Sequence, residues 1–343
     1  MTSTRRLPAE WEPQSAVQFT FPHPDSDWAD SLSYVTPTFV ELINTVSQYQ
    51  PVLVVCQDRD AVGRLLTEAD PRHLLLVEAP SNDTWARDHG GITVAVDGQW
   101  VVLDFTFNGW GLKFPANRDN LITGRLHGMG VFGDTPRIVP GLALEGGALE
   151  TDGQGTLLTT VECLLSPNRN PHLDRPALEA ALTEWLGVDR FLWLHHGFLA
   201  GDDTDSHIDT LARFVNPTTI AYVHCDDPQD EHYTALQQMK QELEAFRTRD
   251  GEPYHLVPLP LPKACFAKDG HRLPATYANF LIINEAVLVP VYRVPEDGVA
   301  IKAIQECFPN RTVETIDCRP LIEQHGSLHC VSMQYPEGVV NVR

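Results

Sequence analysis

Short runs of β-branched and other apolar residues recur along the chain and predict strands. The run 100–105 follows the run 92–96 across Asp97-Gly98, and the run 156–160 follows Asp152-Gly153. Asp-Gly is typical of tight hairpin turns, so both sites predict a β-hairpin, the second pairing 148–151 with 156–160. The runs predicted as strands are 52–56, 74–77, 92–96, 100–105, 156–160, 220–224 and 280–290.

Apolar residues at helical spacing predict helices over 175–186 and 233–246, and a shorter helix over 299–307. Hairpins that alternate with helices favour an α/β fold with mixed strand pairings over a uniform βαβ series. We find no low-complexity stretch, no long Gly/Ser linker and no internal repeat at the level of residues. The pattern therefore gives no boundary at which to divide the chain, although 343 residues alone would suggest two domains.

The charge balance excludes some classes of partner. Asp and Glu number 46 against 25 Lys and Arg, a formal net charge of −21. Such a chain should repel nucleic acid and anionic membranes, and it weakly favours a cationic ligand. No apolar run approaches the roughly 18 residues of a membrane span, and the N-terminal segment lacks the apolar core of a secretory signal. We therefore expect a cytoplasmic protein.

Cysteine usage argues against a disulfide framework or structural zinc. The seven cysteines are odd in number, and no Cys-x-x-Cys occurs. Cys56 and Cys163 adjoin apolar runs and are predicted to be core residues. Cys330 differs, because it lies among small residues and histidines in 325–330 (HGSLHC), and a cysteine of this kind with a distant His and carboxylate is typical of a nucleophile. The alternative is another buried cysteine; His325 and His329 lack partners at zinc spacing, so we predict no metal.

Three further segments combine groups that suit a cationic substrate. If 205–209 (DSHID) is extended, His207 and Asp209 point to one face as an acid/base and a cation binder; the alternative is a polar strand edge. On the loop 82–91, Trp85 and Asp88 suit a clamp for a flat cation, unless Asp88 only caps the loop. Glu145 ends an apolar run before two glycines. Either the tight turn at these glycines directs the carboxylate into a site, or the segment is a turn without function.

Taken in order from end to end, these segments resemble the agmatine deiminase family, bacterial relatives of the peptidyl-arginine deiminases within the guanidine-modifying superfamily. The resemblance departs from the family at 325–327 (HGS), where Gly-Gly-Asn is usual, and at Ser206, where Gly is frequent. The segments that carry it are 7–13, 21–23, 82–88, 145–160, 162–171, 205–214 and 328–334.

The resemblance implies one domain over 1–343, a pseudo-fivefold α/β propeller of ββαβ-type modules with the active site at its centre. It also implies a reaction: hydrolysis of agmatine to N-carbamoylputrescine and ammonia through an amidino-cysteine intermediate. Cys330 would be the nucleophile and His207 the general acid and then base, with Glu145 orienting His207. Asp88 and Asp209 would bind the guanidinium.

Trp85 would pack on the substrate. Trp28 and Asp27 are candidates for holding the distal amine. The resemblance requires water as co-substrate and no metal or organic cofactor, and it suggests a homodimer. Three alternatives stay open: deimination of free or peptidyl arginine by the same residues, a non-catalytic guanidinium-binding protein, and transfer of the amidino group to an amine.

Overall fold

The computed structural model describes residues 4–341. The first three residues of the segment examined for a secretory signal, and the last two of the predicted domain, lie outside the described residues. The strands β1 to β19 are Arg5–Arg6, Gln14–Thr20, Val52–Cys56, Leu74–Glu78, Ile92–Val96, Gln99–Leu103, Arg137–Ile138, Glu150–Thr151, Thr156–Thr160, Arg190–Leu194, Ala212–Asn216, Thr219–His224, His255–Pro260, Cys265–Phe266, Arg272–Leu273, Leu281–Ile282, Ala286–Val291, Thr312–Asp317 and Ser332–Pro336. The helices α1 to α10 are Leu32–Ser47, Arg59–Leu65, Ala86–His89, Gly109–Leu112, Ile122–Gly128, Val161–Leu164, Arg175–Leu186, Tyr233–Ala245, Asp297–Cys307 and Arg319–Ile322.

The sheets repeat one connection five times. In each repeat two strands pair antiparallel, a helical crossover follows, and a third strand pairs parallel with the second. Strands β1 and β4 widen two of the sheets, and β14-β15 form a separate hairpin. The five modules are β5-β6-β7 with α5, β8-β9-β10 with α7, β11-β12-β13 with α8, β16-β17-β18 with α9, and β19-β2-β3 with α1.

This topology confirms the predicted α/β propeller of ββαβ modules. The last module is built from both ends of the chain, because C-terminal β19 pairs antiparallel with N-terminal β2. The repeat lies in the order and direction of strands and not in residue identities, which is why the sequence did not reveal it. The assignment of the whole chain to one domain stays a prediction.

Local signals placed several elements correctly. The predicted helix 175–186 coincides with α7, which begins after Asp174, whose side chain accepts a hydrogen bond from the Ala177 N–H at 3.0 Å. It ends at Gly187, whose φ of 71° suits glycine. Both Asp-Gly hairpins are present, as β5-β6 and β8-β9.

The prediction of a single strand over 280–290 is wrong. The segment forms an antiparallel hairpin of β16 and β17, and Asn284 lies at its turn. There the side-chain oxygen of Asn284 accepts from the Gln14 N–H at 2.8 Å, and its Nδ2 donates to the Gln14 carbonyl at 2.9 Å. The turn is therefore held by the N-terminal segment, a contact that no local pattern reports.

Strands with buried polar residues escaped the pattern analysis. Strand β2 is buried almost throughout although it contains Gln14 and Gln18. The Gln18 side-chain oxygen accepts a hydrogen bond from Tyr335 Oη at 2.8 Å, whereas its Nε2 has no hydrogen-bond partner among the described residues. Helix α1 was also missed, since it contains Pro37, which normally signals a break. Within residues 4–341, no helix is both long and apolar enough to cross a membrane.

Candidate active site

The five modules bring five short segments together. In each module the segment just before the first strand carries a polar or thiol side chain, so the same topological position is used five times. Backbone hydrogen bonds join neighbouring segments: the Arg87 N–H donates to the Cys330 carbonyl at 3.1 Å, and the His329 N–H to the Asn279 carbonyl at 3.2 Å. The residues so placed are Asp88 before β5, Glu145 before β8, His207 and Asp209 before β11, Asn279 before β16, and Cys330 before β19.

Cys330 is 5% exposed and lies against two polar groups. Its Sγ is 3.4 Å from Asn279 Oδ1 and 3.9 Å from Asp209 Oδ2. Burial, with the charges of Asp209 and Asp88, raises the pKa of the Cys330 thiol well above its ordinary value. The thiolate form of Cys330 is therefore disfavoured while these two carboxylates carry uncompensated charge.

Asp209 and Asp88 present carboxylate oxygens inside the protein. Asp209 Oδ2 accepts from His329 Nδ1 at 2.7 Å, whereas its buried Oδ1 has no hydrogen-bond partner among the described residues. Asp88 accepts from Trp110 Nε1 at 2.9 Å and from the Gly147 N–H at 3.0 Å. Burial raises the pKa of Asp88 to about 6. Asp209 therefore offers a carboxylate oxygen without a hydrogen-bond partner. An added cation would stabilise the ionised form of Asp88.

His207 lies between two carboxylates. Its Nδ1 is 3.6 Å from Asp88 Oδ1, and its Nε2 is 3.5 Å from Glu145 Oε2. Burial alone would lower the pKa of His207, but Asp88, Cys163 and Glu145 together outweigh it, and the pKa is raised well above its usual value. The raised pKa favours the imidazolium form, which is the form that a general acid requires.

Glu145 is fixed from behind by Arg169. The Arg169 Nε lies 3.0 Å from Glu145 Oε1 and 2.7 Å from Oε2, and its Nη1 reaches Asp205 Oδ2 at 2.6 Å. Burial would raise the pKa of Glu145, but His207 and Arg169 hold it below its usual value. Glu145 therefore stays ionised beside His207.

The backbone around His207 differs from the extended segment considered above. Residues Ile208–Thr210 form a 3-10 turn, while Asp205 and Ser206 adopt φ of 67° and 60°. The extended geometry considered for 205–209 is therefore not what the segment adopts, although both His207 and Asp209 reach the site. Positive φ at Ser206 also explains why glycine suits that position. On the facing segment, a Cβ at Gly147 would lie 2.5 Å from His207 Nδ1, so only glycine fits there.

Trp85 and Trp28 pack against each other on the N-terminal side of Asp88 in sequence. Trp85 is buried, and a Cβ on Gly326 would lie 2.1 Å from its ring, so the glycine that the 325–327 segment retains lets the chain lie flat on the indole. Trp28 is fully buried, packs 5.8 Å from Trp85 between ring centroids, and donates from Nε1 to Thr84 at 3.0 Å. Asp27 is exposed. Trp28 thus supports Trp85, and the part of Asp27 in binding stays a prediction.

A buried chain of charges lies behind Asp209. His329 bridges Asp209 and Glu10, with Nε2 2.8 Å from Glu10 Oε2. Arg213 joins Glu10 at 2.6 Å to Glu150 at 2.7 Å. The sequence analysis assigned no role to Glu10, His329 or Glu150. Their only signal was that they lie in the segments 7–13, 145–160 and 328–334, which carry the family resemblance.

The sequence analysis also missed four residues in contact with the site: Asn279, Arg169, Trp110 and Cys163. The burial predicted for Cys163 is confirmed, but its thiol lies 3.8 Å from Glu145 Oε2 and faces the site. Glu145, Cys163 and His207 offer ligand atoms within 4.8 Å of one another, close enough to share a metal ion. The Arg169 guanidinium bonds both Glu145 oxygens, however, and its positive charge competes with a metal cation.

Comparison with known proteins places this arrangement among guanidine-modifying enzymes. A model of the Porphyromonas-type peptidyl-arginine deiminase family matches residues 6–336. An agmatine deiminase of Stutzerimonas stutzeri is 33% identical over 364 residues, which cover 98% of each chain. A structure of the putative arginine deiminase from Porphyromonas gingivalis has a TM-score of 0.94 and 54% identity, covering 98% of this chain and 100% of that one.

A third similar protein has been solved with its substrate bound. The structure of a Cys-to-Ser variant of C. jejuni agmatine deiminase with substrate bound has a TM-score of 0.91 and 36% identity, and covers 98% of both chains. The similarities extend over nearly the full length in each case.

Proposed function

Because this chain belongs to the Porphyromonas-type peptidyl-arginine deiminase family, we propose that it hydrolyses agmatine to N-carbamoylputrescine and ammonia. It is a hydrolase of carbon–nitrogen bonds. The observation that carries the substrate class is the unpartnered, buried Oδ1 of Asp209, with Asp88 as a second carboxylate and Cys330 beside them. A planar cation with several N–H donors satisfies both carboxylates at once.

In the first half-reaction, Asp88 and Asp209 hold the guanidinium with its carbon next to Cys330 Sγ. The added positive charge lowers the pKa of the Cys330 thiol, which releases its proton to solvent, where the ammonia that leaves later takes up a proton to become ammonium. The thiolate adds to the carbon and forms a tetrahedral adduct. The His207 imidazolium protonates one terminal amino group, and the C–N bond breaks to release ammonia. A cationic alkylamidino group remains on Cys330, and His207 is neutral.

In the second half-reaction, neutral His207 takes a proton from water while the oxygen adds to the same carbon. The new tetrahedral adduct collapses with cleavage of the C–S bond. The hydroxyl proton returns to the departing sulfur, so Cys330 regains its thiol and the carbon becomes a urea. His207 is again an imidazolium beside Glu145, which stabilises that charge. Water is the co-substrate, and the steps need no cofactor.

The arginines near the site favour a substrate without an α-carboxylate. Arg169 is occupied by Glu145 and Asp205, and Arg213 by Glu10 and Glu150. Arg87 lies on the opposite side of the Asp88 segment, beside Met333 and His329. None of these three guanidiniums is free on the Cys330 side to bind a carboxylate, which suits agmatine better than arginine.

Asp27 remains our proposed partner for the distal amine of agmatine, together with Asp83. Burial and the charge of Asp27 raise the pKa of Asp83 to about 7, so the two carboxylates repel each other without a cation. An ammonium group between them would relieve this repulsion. The proposed part of Trp28 is indirect, through its packing on Trp85.

Free arginine is the second candidate substrate. The observation in its favour is the 54% identity to the P. gingivalis protein, which its structure describes as a putative arginine deiminase. The test is the release of ammonia from agmatine, free arginine and an arginine-containing peptide in parallel, with identification of N-carbamoylputrescine. Fastest turnover of agmatine supports the proposal. Turnover of arginine or of the peptide alone would contradict agmatine as the substrate. Affinity for these compounds without turnover would favour a guanidinium-binding protein.

The nucleophile is tested by substitution. We expect Cys330→Ala to abolish turnover and Cys330→Ser to be nearly as inactive, because a serine hydroxyl ionises far less than a thiol. Cys56→Ala, at a buried cysteine of β3, controls for loss of a buried sulfur and should stay active. Activity of more than a few percent in folded Cys330→Ala would contradict the role of Cys330.

Trapping the intermediate separates hydrolysis from amidino transfer. Acid quenching during agmatine turnover, followed by intact-mass analysis and peptide mapping, should show an adduct on Cys330. The adduct retains the aminobutyl stem if ammonia has left first. A bare amidino group would mean that the amine tail left first, as in transfer to another amine, and would overturn the proposed reaction. The predicted homodimer and cytoplasmic location are not addressed by this experiment and stay predictions.

A further inference from the structure

The segment 276–279, just before β16, is bonded to two other segments of the candidate active site. The side-chain oxygen of Asn279 accepts from the His329 N–H at 2.8 Å and from the Cys330 N–H at 3.2 Å. Its Nδ2 donates to the Asp209 carbonyl at 3.2 Å. One side chain therefore holds the backbone beside the proposed nucleophile and the backbone beside a proposed guanidinium ligand.

Thr276 repeats this arrangement at the other end of the segment. Its buried hydroxyl donates to the Thr210 carbonyl at 2.8 Å and accepts from the Ala278 N–H at 3.2 Å. Thr210 directly follows Asp209, so segment 276–279 holds the segment of the proposed general acid at two points. On the side of Cys330, Asn279 supplies one point, and the second comes from Tyr292, at the end of β17.

The buried hydroxyl of Tyr292 links Thr276 to the segment of the nucleophile. It donates to the Thr276 carbonyl at 2.8 Å and accepts from the Thr276 N–H at 3.2 Å. It also lies 2.8 Å from Ser327 Oγ. A phenol has one proton, which the Thr276 carbonyl already takes, so the Ser327 hydroxyl is the donor in this third bond. Tyr292 thus uses its whole hydrogen-bonding capacity on two segments of the site.

Ser327 is in turn in contact with the sulfur of Cys330. Burial, Asp209 and Asp88 raise the pKa of the Cys330 thiol, whereas hydrogen bonds to the Ser327 backbone and to the Asn279 side chain lower it. Both of these favourable groups are held in place from the same side, Asn279 by its own segment and Ser327 through Tyr292. The stability of the thiolate therefore depends on how the Ser327 backbone is held.

We propose that Tyr292 is a positioning residue for Cys330, acting through Ser327 and Thr276. The inference rests on the proposed function, because it concerns the nucleophile of that reaction. The Tyr292 hydroxyl fixes the separation of segments 276–279 and 327–330, so that the Ser327 backbone and Asn279 meet the same sulfur atom. Tyr292 lies outside every segment that carries the family resemblance.

The test measures alkylation of Cys330 in the full chain by chloroacetamidine. This small cation suits Asp88 and Asp209, and a thiolate displaces its chloride to form a thioether. The rate is recorded against pH, and peptide mapping locates the adduct. In Tyr292→Phe we expect the rate at about pH 7 to fall about tenfold and the pKa of the thiol in the profile to rise. For agmatine, kcat should fall by a similar factor and KM should change less, because both carboxylates remain.

Tyr335→Phe is the matched control. Tyr335 is buried, and its hydroxyl donates to Gln18 Oε1 at 2.8 Å, between β19 and β2. The control loses a buried tyrosine hydroxyl of the same kind, so it should lose thermal stability and keep the wild-type alkylation profile. A lower Tm with a wild-type profile in Tyr292→Phe as well would show a purely structural role and overturn the proposal.

Ser327→Ala removes the same bond from the other side, and it decides the question alone if Tyr292→Phe does not fold. Because Ser327 also bonds the Cys318 side chain, the two changes are combined as well. The double variant should be alkylated within about twofold of the slower single variant, since both changes break one link. Losses that multiply, or a wild-type profile in folded Ser327→Ala, would contradict the link.

The alkylation readout needs no turnover of agmatine. Absence of turnover in the wild type would contradict the proposed function, whereas an unchanged alkylation profile in the variants would contradict the role of Tyr292. The two failures are therefore distinguishable.

Discussion

His329 holds Asp209 in place: its Nδ1 lies 2.7 Å from Asp209 Oδ2, and its other ring nitrogen lies 2.8 Å from Glu10. His329 thereby leaves Asp209 Oδ1 as the open acceptor beside Cys330. It acts through Asp209 and is a positioning residue, although it precedes the proposed nucleophile in sequence.

Two amide substitutions at His329 separate its two bonds. The amide nitrogen of Asn occupies the place of Nδ1 and that of Gln the place of Nε2, so His329→Asn retains the bond to Asp209 and His329→Gln retains the bond to Glu10. We expect His329→Gln to lower kcat/KM for agmatine by about 10- to 100-fold, mainly through KM, and His329→Asn to keep more activity. Equal losses in both variants, with equal loss of thermal stability, would indicate a purely structural role.

The carboxylates should divide into two kinetic classes. Asp88→Asn and Asp209→Asn each remove a charge that pairs with the guanidinium, so both KM and kcat should worsen. Glu145→Gln should lower kcat and leave KM nearer wild type, because Glu145 contacts His207 and not the proposed substrate position. Steady-state kinetics with agmatine measures both.

The control for Glu145→Gln is Asp104→Asn. Asp104 is buried and paired at 2.6 Å with Arg137, which is exposed and lies away from the site, so its replacement loses an ion pair without touching the chemistry. It should cost stability and spare kcat. A raised KM with normal kcat in Glu145→Gln would indicate that Glu145 binds the substrate, together with Asp88 and Asp209.

Asp88 should set the acid limb of the pH profile. Its pKa is raised to about 6, chiefly by burial, whereas the pKa of Asp209 is held below its usual value because His329 outweighs burial. As pH falls through about 6, Asp88 gains a proton and loses its attraction for the guanidinium, so kcat/KM should fall. Measured from about pH 5 to pH 8, Asp88→Asn should lose the fall in kcat/KM near pH 6 and keep the fall near pH 7 that protonation of Asp83 would cause. A fall near pH 6 that persists in Asp88→Asn would assign that fall to another group.

Gly147 should be intolerant of a methyl group. A Cβ there would lie 2.5 Å from His207 Nδ1 and 2.9 Å from Asp88 Oδ1. Gly147→Ala should therefore displace the imidazole and lower kcat by about 100-fold or more, a size seen for small misplacements of reacting groups. Gly298→Ala, in α9 with open space around the added carbon, is the matched control and should keep full activity. Wild-type kcat in Gly147→Ala would show that His207 can move without cost.

Some of the fold was predictable because its signals are local. The Asp97-Gly98 turn, the Asp174 cap and the helical spacing of α7 each involve residues a few positions apart, so the sequence displays them directly. The candidate nucleophile, general acid and carboxylates were also identifiable as residue types in motifs of a known family. Their proposed roles rest on that resemblance.

The partners of those residues could not be predicted, because they are brought together by the five modules. Asp88 meets Trp110 across 22 positions, Glu145 meets Arg169 across 24, Cys330 meets Asn279 across 51, and His329 meets Glu10 across 319. No periodicity or turn links such distances. The sequence by itself determined the hairpins, several helices and the chemical groups. Only the tertiary structure decided which groups share a buried site, since burial and the neighbouring charges that shift their pKa values arise when the modules close.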